Sequence, residues 1–137
     1  MCLITDWSES RIAEEDIICY KWYMKSDFAY KSPYQGKPIP PFNTKVYSEL
    51  SESENIERLE HYVCEIFYSL IPGRYRVEKG FHSFVNSIDA KLYSYKGRDS
   101  IVVSCIIPKG ALYYKGFFEN CESYCSSSII LKEEICI

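Results

Sequence analysis

The feature that most constrains this chain is the segment IVVSCII at positions 101–107, which is apolar on both of its alternating faces. Successive side chains of a β-strand point to opposite faces of the sheet, so such a segment predicts a strand that is covered on both sides. A Pro-Lys-Gly turn follows at 108–110. The fold is therefore expected to contain a sheet with a buried centre.

Other segments predict strands around this central one. Positions 17–24, IICYKWYM, alternate β-branched and aromatic residues in the manner of a strand. Further strands are expected at 44–50, 74–77, 111–118 and 128–135, with a short extended segment at 80–84. Three segments are expected to lack regular structure: 1–15 and 119–127, which are polar, and 32–43, which holds four of the six prolines.

Two helices are predicted between these strands. Ser51 and Glu54 form an S-x-x-E capping box, and apolar residues then recur every three or four positions from 56 to 70, as on the buried stripe of an amphipathic helix. The second helix is predicted at 88–95. We therefore expect one α+β domain over residues 1–137, with a mixed or antiparallel sheet of about six strands and two helices.

Composition excludes several classes of protein. The 137 residues include 13 Tyr, 7 Phe and 2 Trp, and the net charge is −3. A disordered tail would be poor in aromatic residues, and no apolar segment approaches the roughly 20 residues of a membrane span. Because a general binder of nucleic acid needs a basic surface, we expect neither nucleic acid nor a membrane as a partner.

The cysteines bear on the compartment and on metal binding. There are seven, an odd number, and they are scattered along a chain that opens without a basic region and apolar segment typical of a secretory signal. This pattern indicates reduced thiols in the cytoplasm. Cys121 and Cys125 are spaced C-x3-C, but a zinc site typically has two close pairs of ligands. We therefore expect free thiols in a loop and no metal.

Two segments offer candidate ligand-binding residues. Between positions 20 and 34, aromatic residues alternate with lysines, and Lys21 and Tyr34 are candidates for neutralising a phosphate and stacking on a base; core packing of the aromatic residues is the alternative. His82 and Ser83 lie in the extended segment G-F-H-S-F. As neighbours on a strand they point to opposite faces, so they do not form a catalytic pair with each other. His82 is expected either to make a structural hydrogen bond or to contact a ligand.

The second half of the chain resembles ADP-ribosyltransferase-like domains. The resemblance rests on GFHSFVNSIDAKLY at 80–93, IVVSCIIPKGALYY at 101–114, a loop with glutamates, and SIILKE at 128–133. It implies that Ser83 is the motif serine of that family, that Glu119 or Glu122 is the catalytic glutamate, and that NAD is the cofactor. It also implies that Lys21 stands where the family has an NAD-orienting arginine. The whole chain is also similar to small uncharacterised proteins of gut bacteria and their phages, which implies no activity.

These observations lead to three functional hypotheses. The first is a non-catalytic binding module for a nucleotide-like ligand or a protein partner, with no cofactor. Lys21 favours binding over catalysis, because a lysine is not the planar bidentate donor that an arginine would be. Its ligand would lie between the segment around Lys21 and the segment at 80–84. The second is an NAD-dependent transferase that uses Glu122 or Glu119. Paired carboxylates can act as acid and base where burial separates their pKa values, but both glutamates lie in polar segments, which favours a solvated surface. The third is a protein interaction module without a small-molecule ligand.

Overall fold

A computed structural model describes residues 2–26, 29–32, 36–56, 74–94 and 99–135. Within these residues the chain is mostly β, with twelve antiparallel strands in one sheet and a single α-helix. The elements, in chain order, are β1 (Leu3–Thr5), β2 (Arg11–Ile12), β3 (Ile17–Ser26), β4 (Ala29–Lys31), β5 (Lys45–Tyr47), β6 (Glu54–Asn55), β7 (Tyr75–Val77), β8 (Phe81–Phe84), α1 (Ser87–Ser94), β9 (Ser100–Ile107), β10 (Leu112–Phe118), β11 (Cys121–Ser126) and β12 (Ser128–Ile135).

The predicted α+β fold, with about six strands and two helices, is wrong. The residues of the predicted capping box contact strands of the sheet. Glu54 belongs to strand β6, and its carboxylate accepts a hydrogen bond of 2.9 Å from Arg76 on the neighbouring strand β7. Ser51 Oγ accepts hydrogen bonds from the backbone N–H groups of Glu78 and Lys79, at 3.2 and 2.9 Å. The residues that were expected to cap a helix thus stabilise strand connections, and positions 57–70 of the predicted helix lie outside the described residues.

The predicted loop at 119–127 is also wrong, because most of it is strand β11. Only Glu119 and Asn120 form the turn that joins β10 to β11. The polar serines of this segment favour a loop in the sequence analysis. In the structure Ser123 and Ser126 are fully buried, and their hydroxyls donate to nearby backbone carbonyls. Ser123 Oγ bonds to Cys121 O and Ser126 Oγ to Ser128 O, each at 3.0 Å. These hydrogen bonds offset the cost of removing the hydroxyl groups from water, so short hydroxyl side chains can be buried inside a sheet.

Ten of the strands follow one path across the sheet, in the order β5-β12-β9-β3-β8-β11-β10-β1-β7-β6. In a flat sheet, the two ends of this path would lie about 43 Å apart, from nine spacings of about 4.8 Å. The chain joins these ends directly, between Tyr47 of β5 and Glu54 of β6, and seven residues reach at most about 25 Å. The sheet is therefore strongly curled, and its two end strands approach each other.

The curled sheet has a well-packed inner face. The largest core cluster includes the side chains of Tyr23, Val103 and Leu131, with Val46 of β5 and Tyr113 of β10 packed against it. Because β5 and β10 are far apart in the strand order, residues from both can meet only on the concave side. The central strand β9, predicted from its apolar sequence, is confirmed between β12 and β3.

The outer face of the sheet is covered in two places. Helix α1 packs through Ala90 on Trp22, Phe84 and Val102, so the predicted second helix is confirmed at Ser87–Ser94. The connection from β5 to β6 covers a second cluster with Leu50, which packs on Leu3, Val77, Tyr114 and Cys125. None of the described helical residues forms a helix that is long and apolar enough to cross a membrane.

Candidate functional site

Strands β3 and β8 are neighbours in the sheet but share only one residue pair. Strand β3 pairs with β9 through eight residue pairs, from Ile17–Ile107 to Met24–Ser100. Strand β8 pairs with β11 through four residue pairs. Between β3 and β8 there is one pair, Tyr20–Phe84. We call the boundary between these two strands the β3–β8 seam. It brings together the two segments between which the sequence predicts a ligand.

Lys21 spans this seam. Its ammonium Nζ donates a hydrogen bond of 2.6 Å to the backbone carbonyl of His82 on β8, in place of a ladder N–H group. Continuing the register from Tyr20–Phe84 by one residue places Lys21 opposite Ser83, on the inner face. Lys21 is half-buried, and burial lowers the pKa of its ammonium below the usual value. The nearby thiols of Cys105 and Cys19 partly oppose this shift.

Ser83 completes the inner side of the seam. It is 1% exposed, and its Oγ has no hydrogen-bond partner among the described residues. The hydroxyl is nevertheless close enough to Cys19 to help lower the pKa of that thiol. On its other side Ser83 pairs in register with Tyr124 of β11. An unpaired buried hydroxyl costs free energy. A ligand atom that formed a hydrogen bond with Ser83 Oγ would remove this cost.

His82 points to the opposite face of β8 from Ser83. Its Nε2 lies 2.8 Å from the carbonyl oxygen of Glu78. In a neutral ring Nε2 must then carry the proton, because a carbonyl only accepts. This leaves Nδ1 as an acceptor, which has no partner among the described residues. Burial lowers the pKa of His82 to about 4, so the imidazole is neutral at physiological pH. The hydrogen bond from its ring to Glu78 holds the residues that precede β8 against this strand.

Cys125 lies next to His82, with 3.7 Å between Sγ and Nε2. A cysteine nucleophile activated by histidine needs a thiolate beside an imidazolium, that is, a lowered cysteine pKa. Here burial raises the pKa of Cys125 to about 12 and lowers the pKa of His82 to about 4. Both groups are therefore held neutral, which is the opposite of an activated cysteine–histidine pair.

The other predicted site residues lie away from the seam. Glu122 is exposed on β11 and lines a surface cleft of about 180 Å³ together with Asp6, Trp7, Lys115, Gly116 and Phe117. Glu119 lies in the turn after β10, where its carboxylate accepts a hydrogen bond from Tyr93 of α1. Tyr34 lies outside the described residues. Of the six predicted site residues, the structure brings together Lys21, His82 and Ser83.

The aromatic residues of β3 are part of the core. Trp22 is 9% exposed beneath helix α1, and Tyr23 is 2% exposed on the inner face. The second of the two interpretations offered for this segment, core packing, therefore describes both side chains. Burial also raises the pKa of the Tyr23 phenol, which stays protonated.

The residues that the sequence did not identify are the cysteines around the seam. Cys19 and Cys105 face each other across β3 and β9, and both are completely buried. The sequence predicts a strand at each of the two positions, but the pairing of these strands depends on residues more than eighty positions apart, which local patterns do not encode. Among the described residues, no group of three or more histidine, cysteine, aspartate or glutamate side chains could hold a metal ion.

Comparison with known proteins gives no further guidance. No protein-family model, curated protein or solved structure matches this chain.

Proposed function

We propose that this protein is a non-catalytic binding module, and that the β3–β8 seam binds the phosphate or a similar anionic group of a nucleotide-like ligand. The observation that carries the proposal is the buried hydroxyl of Ser83, which lacks a hydrogen-bond partner among the described residues and lies opposite the ammonium of Lys21. An anionic oxygen accepts hydrogen bonds from both groups and interacts favourably with the positive charge.

The hydrogen bonds of Lys21 support the same conclusion. A lysine ammonium has three N–H donors, and the described residues provide one acceptor, the carbonyl of His82. Two donors therefore remain for a ligand. An anion at this position would also offset the cost of burying the ammonium, which is the cause of its lowered pKa.

The positions of the two glutamates favour binding over turnover. A transferase that used Glu122 would need this carboxylate at the bound ligand, but Glu122 lines the separate cleft beside Trp7. Glu119 is hydrogen-bonded to Tyr93 on the side of helix α1. Neither carboxylate has a contact with Lys21 or Ser83 among the interactions of the described residues. We therefore propose ligand binding without NAD cleavage.

The proposal can be tested by thermal denaturation with ADP-ribose, NAD, a cyclic nucleotide or inorganic phosphate. A ligand at a hundred times its Kd should stabilise the folded protein by about 2.7 kcal/mol, which raises Tm. We expect the increase in Tm to be lost in Lys21→Met and strongly reduced in Ser83→Ala. Lys25→Met is the matched control, because Lys25 is an exposed lysine of the same strand. No increase with any of the four compounds at millimolar concentration would contradict the proposal.

A further inference from the structure

A second feature near the seam concerns two cysteines. Cys19 on β3 and Cys105 on β9 are paired in register, and both are fully buried. Directly opposite residues of antiparallel strands point to the same face, with Cα atoms about 4.5–5.5 Å apart. Disulfides span Cα separations of about 4.4–6.8 Å. The Cα separation expected for Cys19 and Cys105 therefore lies within the range that a disulfide spans.

The surroundings make the two thiols chemically different. Burial raises the pKa of Cys19, but the neighbouring Cys105 thiol, the nearby Ser83 hydroxyl and the charge of Lys21 together outweigh burial, so the pKa ends below its usual value. For Cys105, burial and the neighbouring Cys19 raise the pKa well above the usual value. Cys19 therefore loses its proton first, while Cys105 stays protonated. Of the two sulfurs, that of Cys19 is therefore the better nucleophile.

We propose that Cys19 and Cys105 form a reversible disulfide when the protein is exposed to hydrogen peroxide. The Cys19 thiolate attacks one oxygen of the peroxide, the O–O bond breaks, and a sulfenic acid and hydroxide result. The Cys105 sulfur then attacks the sulfenyl sulfur, and the S–O bond breaks. The hydroxyl that leaves takes up the Cys105 proton and departs as water. The hydroxide takes up the proton that Cys19 released on becoming a thiolate. In total the two sulfurs lose two electrons, and the peroxide is reduced to two molecules of water.

The location on neighbouring strands makes this disulfide easy to reduce. Opposite Cβ atoms in an antiparallel pair lie about 4.5–5.5 Å apart, whereas a relaxed disulfide has them about 3.8 Å apart. The bond between Cys19 and Cys105 therefore pulls against the ladder of β3 and β9. Strained disulfides have more oxidising potentials than relaxed ones, so a thiol such as glutathione should reopen this bond.

The test uses the full, reduced chain. The folded protein is treated with hydrogen peroxide, remaining thiols are alkylated under denaturing conditions, and the digest is analysed by mass spectrometry. We expect alkylatable thiols to fall from seven to five per chain, and a peptide that links Cys19 to Cys105. Reduced glutathione should restore all seven. Retention of both thiols in free form, a different linkage as the main product, or resistance to glutathione would overturn the proposal.

Two controls show whether the fold directs the reaction. Cys121→Ser changes a more exposed thiol on β11 and should leave the linkage intact, whereas Cys19→Ser and Cys105→Ser should abolish it. Because either core variant could fail to fold, the wild-type protein is also oxidised in guanidinium chloride. A linkage that forms as readily in the unfolded chain as in the native one would show that strand pairing does not promote it, and would contradict the proposal.

Discussion

The imidazole of His82 links the stability of this protein to pH. Its pKa is lowered to about 4 by burial in the folded state, whereas a histidine in an unfolded chain has a pKa of about 6.5. Between these two values the unfolded chain binds more protons than the folded one. Stability therefore falls as the pH decreases from 6.5 to 4. We expect a loss on the order of 3 kcal/mol over this window from His82 alone.

His82→Gln tests this expectation. The glutamine amide can still donate to the carbonyl of Glu78, but it does not titrate in this range. The free energy of unfolding is measured by urea denaturation at several pH values for both proteins. Contributions of the carboxylates cancel in the difference. We expect the wild type to lose stability between pH 6.5 and 4 relative to the variant, and equal pH dependence would show that His82 is not the source.

Gly116 is required by the close approach of two neighbouring strands. A Cβ atom at this position of β10 would overlap the carbonyl oxygen of Ile4 on β1, and would lie 2.9 Å from Thr5 Cβ. Since backbone cannot move aside as a flexible side chain can, we expect Gly116→Ala to reduce the free energy of unfolding by about 3 kcal/mol or more. Guanidinium denaturation measures this loss.

Gly110→Ala is the control for the effect of a methyl group alone. Gly110 has a φ of +91°, and a Cβ there would meet nothing within 4 Å. Its replacement costs only backbone strain, about 1–3 kcal/mol. A Gly116→Ala variant that is more stable than Gly110→Ala would show that β1 and β10 have room for a methyl group between them.

At the scale of elements, the β3–β8 seam divides the sheet into two well-paired parts. Residues along a strand direct their N–H groups alternately to the two neighbouring strands. The central strand β9 has neighbours on both edges, whereas β8 is fully paired only with β11. We expect slow hydrogen exchange along all of β9, but alternating slow and fast exchange along β8. Amide exchange measured by NMR tests this, and uniform protection of β8 would show that the seam is closed in solution.

The sequence predicted those elements whose local composition matches their surroundings. Strands β3, β9 and β12 are rich in β-branched and aromatic residues, and the structure confirms them at Ile17–Ser26, Ser100–Ile107 and Ser128–Ile135. Strands β1 and β11 were not predicted. The first is three residues long, and the second consists mostly of serine and cysteine. Their strand conformation comes from long-range pairing, which outweighs local preference.

The candidate site was predictable in part for the same reason. The sequence predicted candidate ligand-binding residues in an alternating strand around Lys21 and in an extended segment around Ser83, and these strands are neighbours. The single residue pair between them and the opposition of Cys19 and Cys105 are properties of register. Register is set by the whole hydrophobic pattern of a sheet, so no short motif in either segment could have predicted them.

For the molecule as a whole, the curl of the sheet determines which residues are inside. The short connection between β5 and β6 holds the two ends of the strand path together. This closure makes one face of β3 concave, so Cys19, Lys21 and Tyr23 point inward as a group. A lysine and a thiol at these positions of a flat sheet would be in contact with solvent. The properties proposed for the seam therefore depend on the closure as much as on the residues themselves.

The strand order also has a consequence for how the protein folds as it is synthesised. Strand β1 lies between β10 and β7, and β3 lies between β9 and β8. The ribosome therefore releases the first strands long before their neighbours exist, and Leu3–Thr5 must wait for Leu112–Phe118. A topology dominated by such distant pairings folds slowly and leaves strand edges exposed during translation. The nascent chain is consequently at greatest risk of aggregation until strands β9 to β12 have emerged.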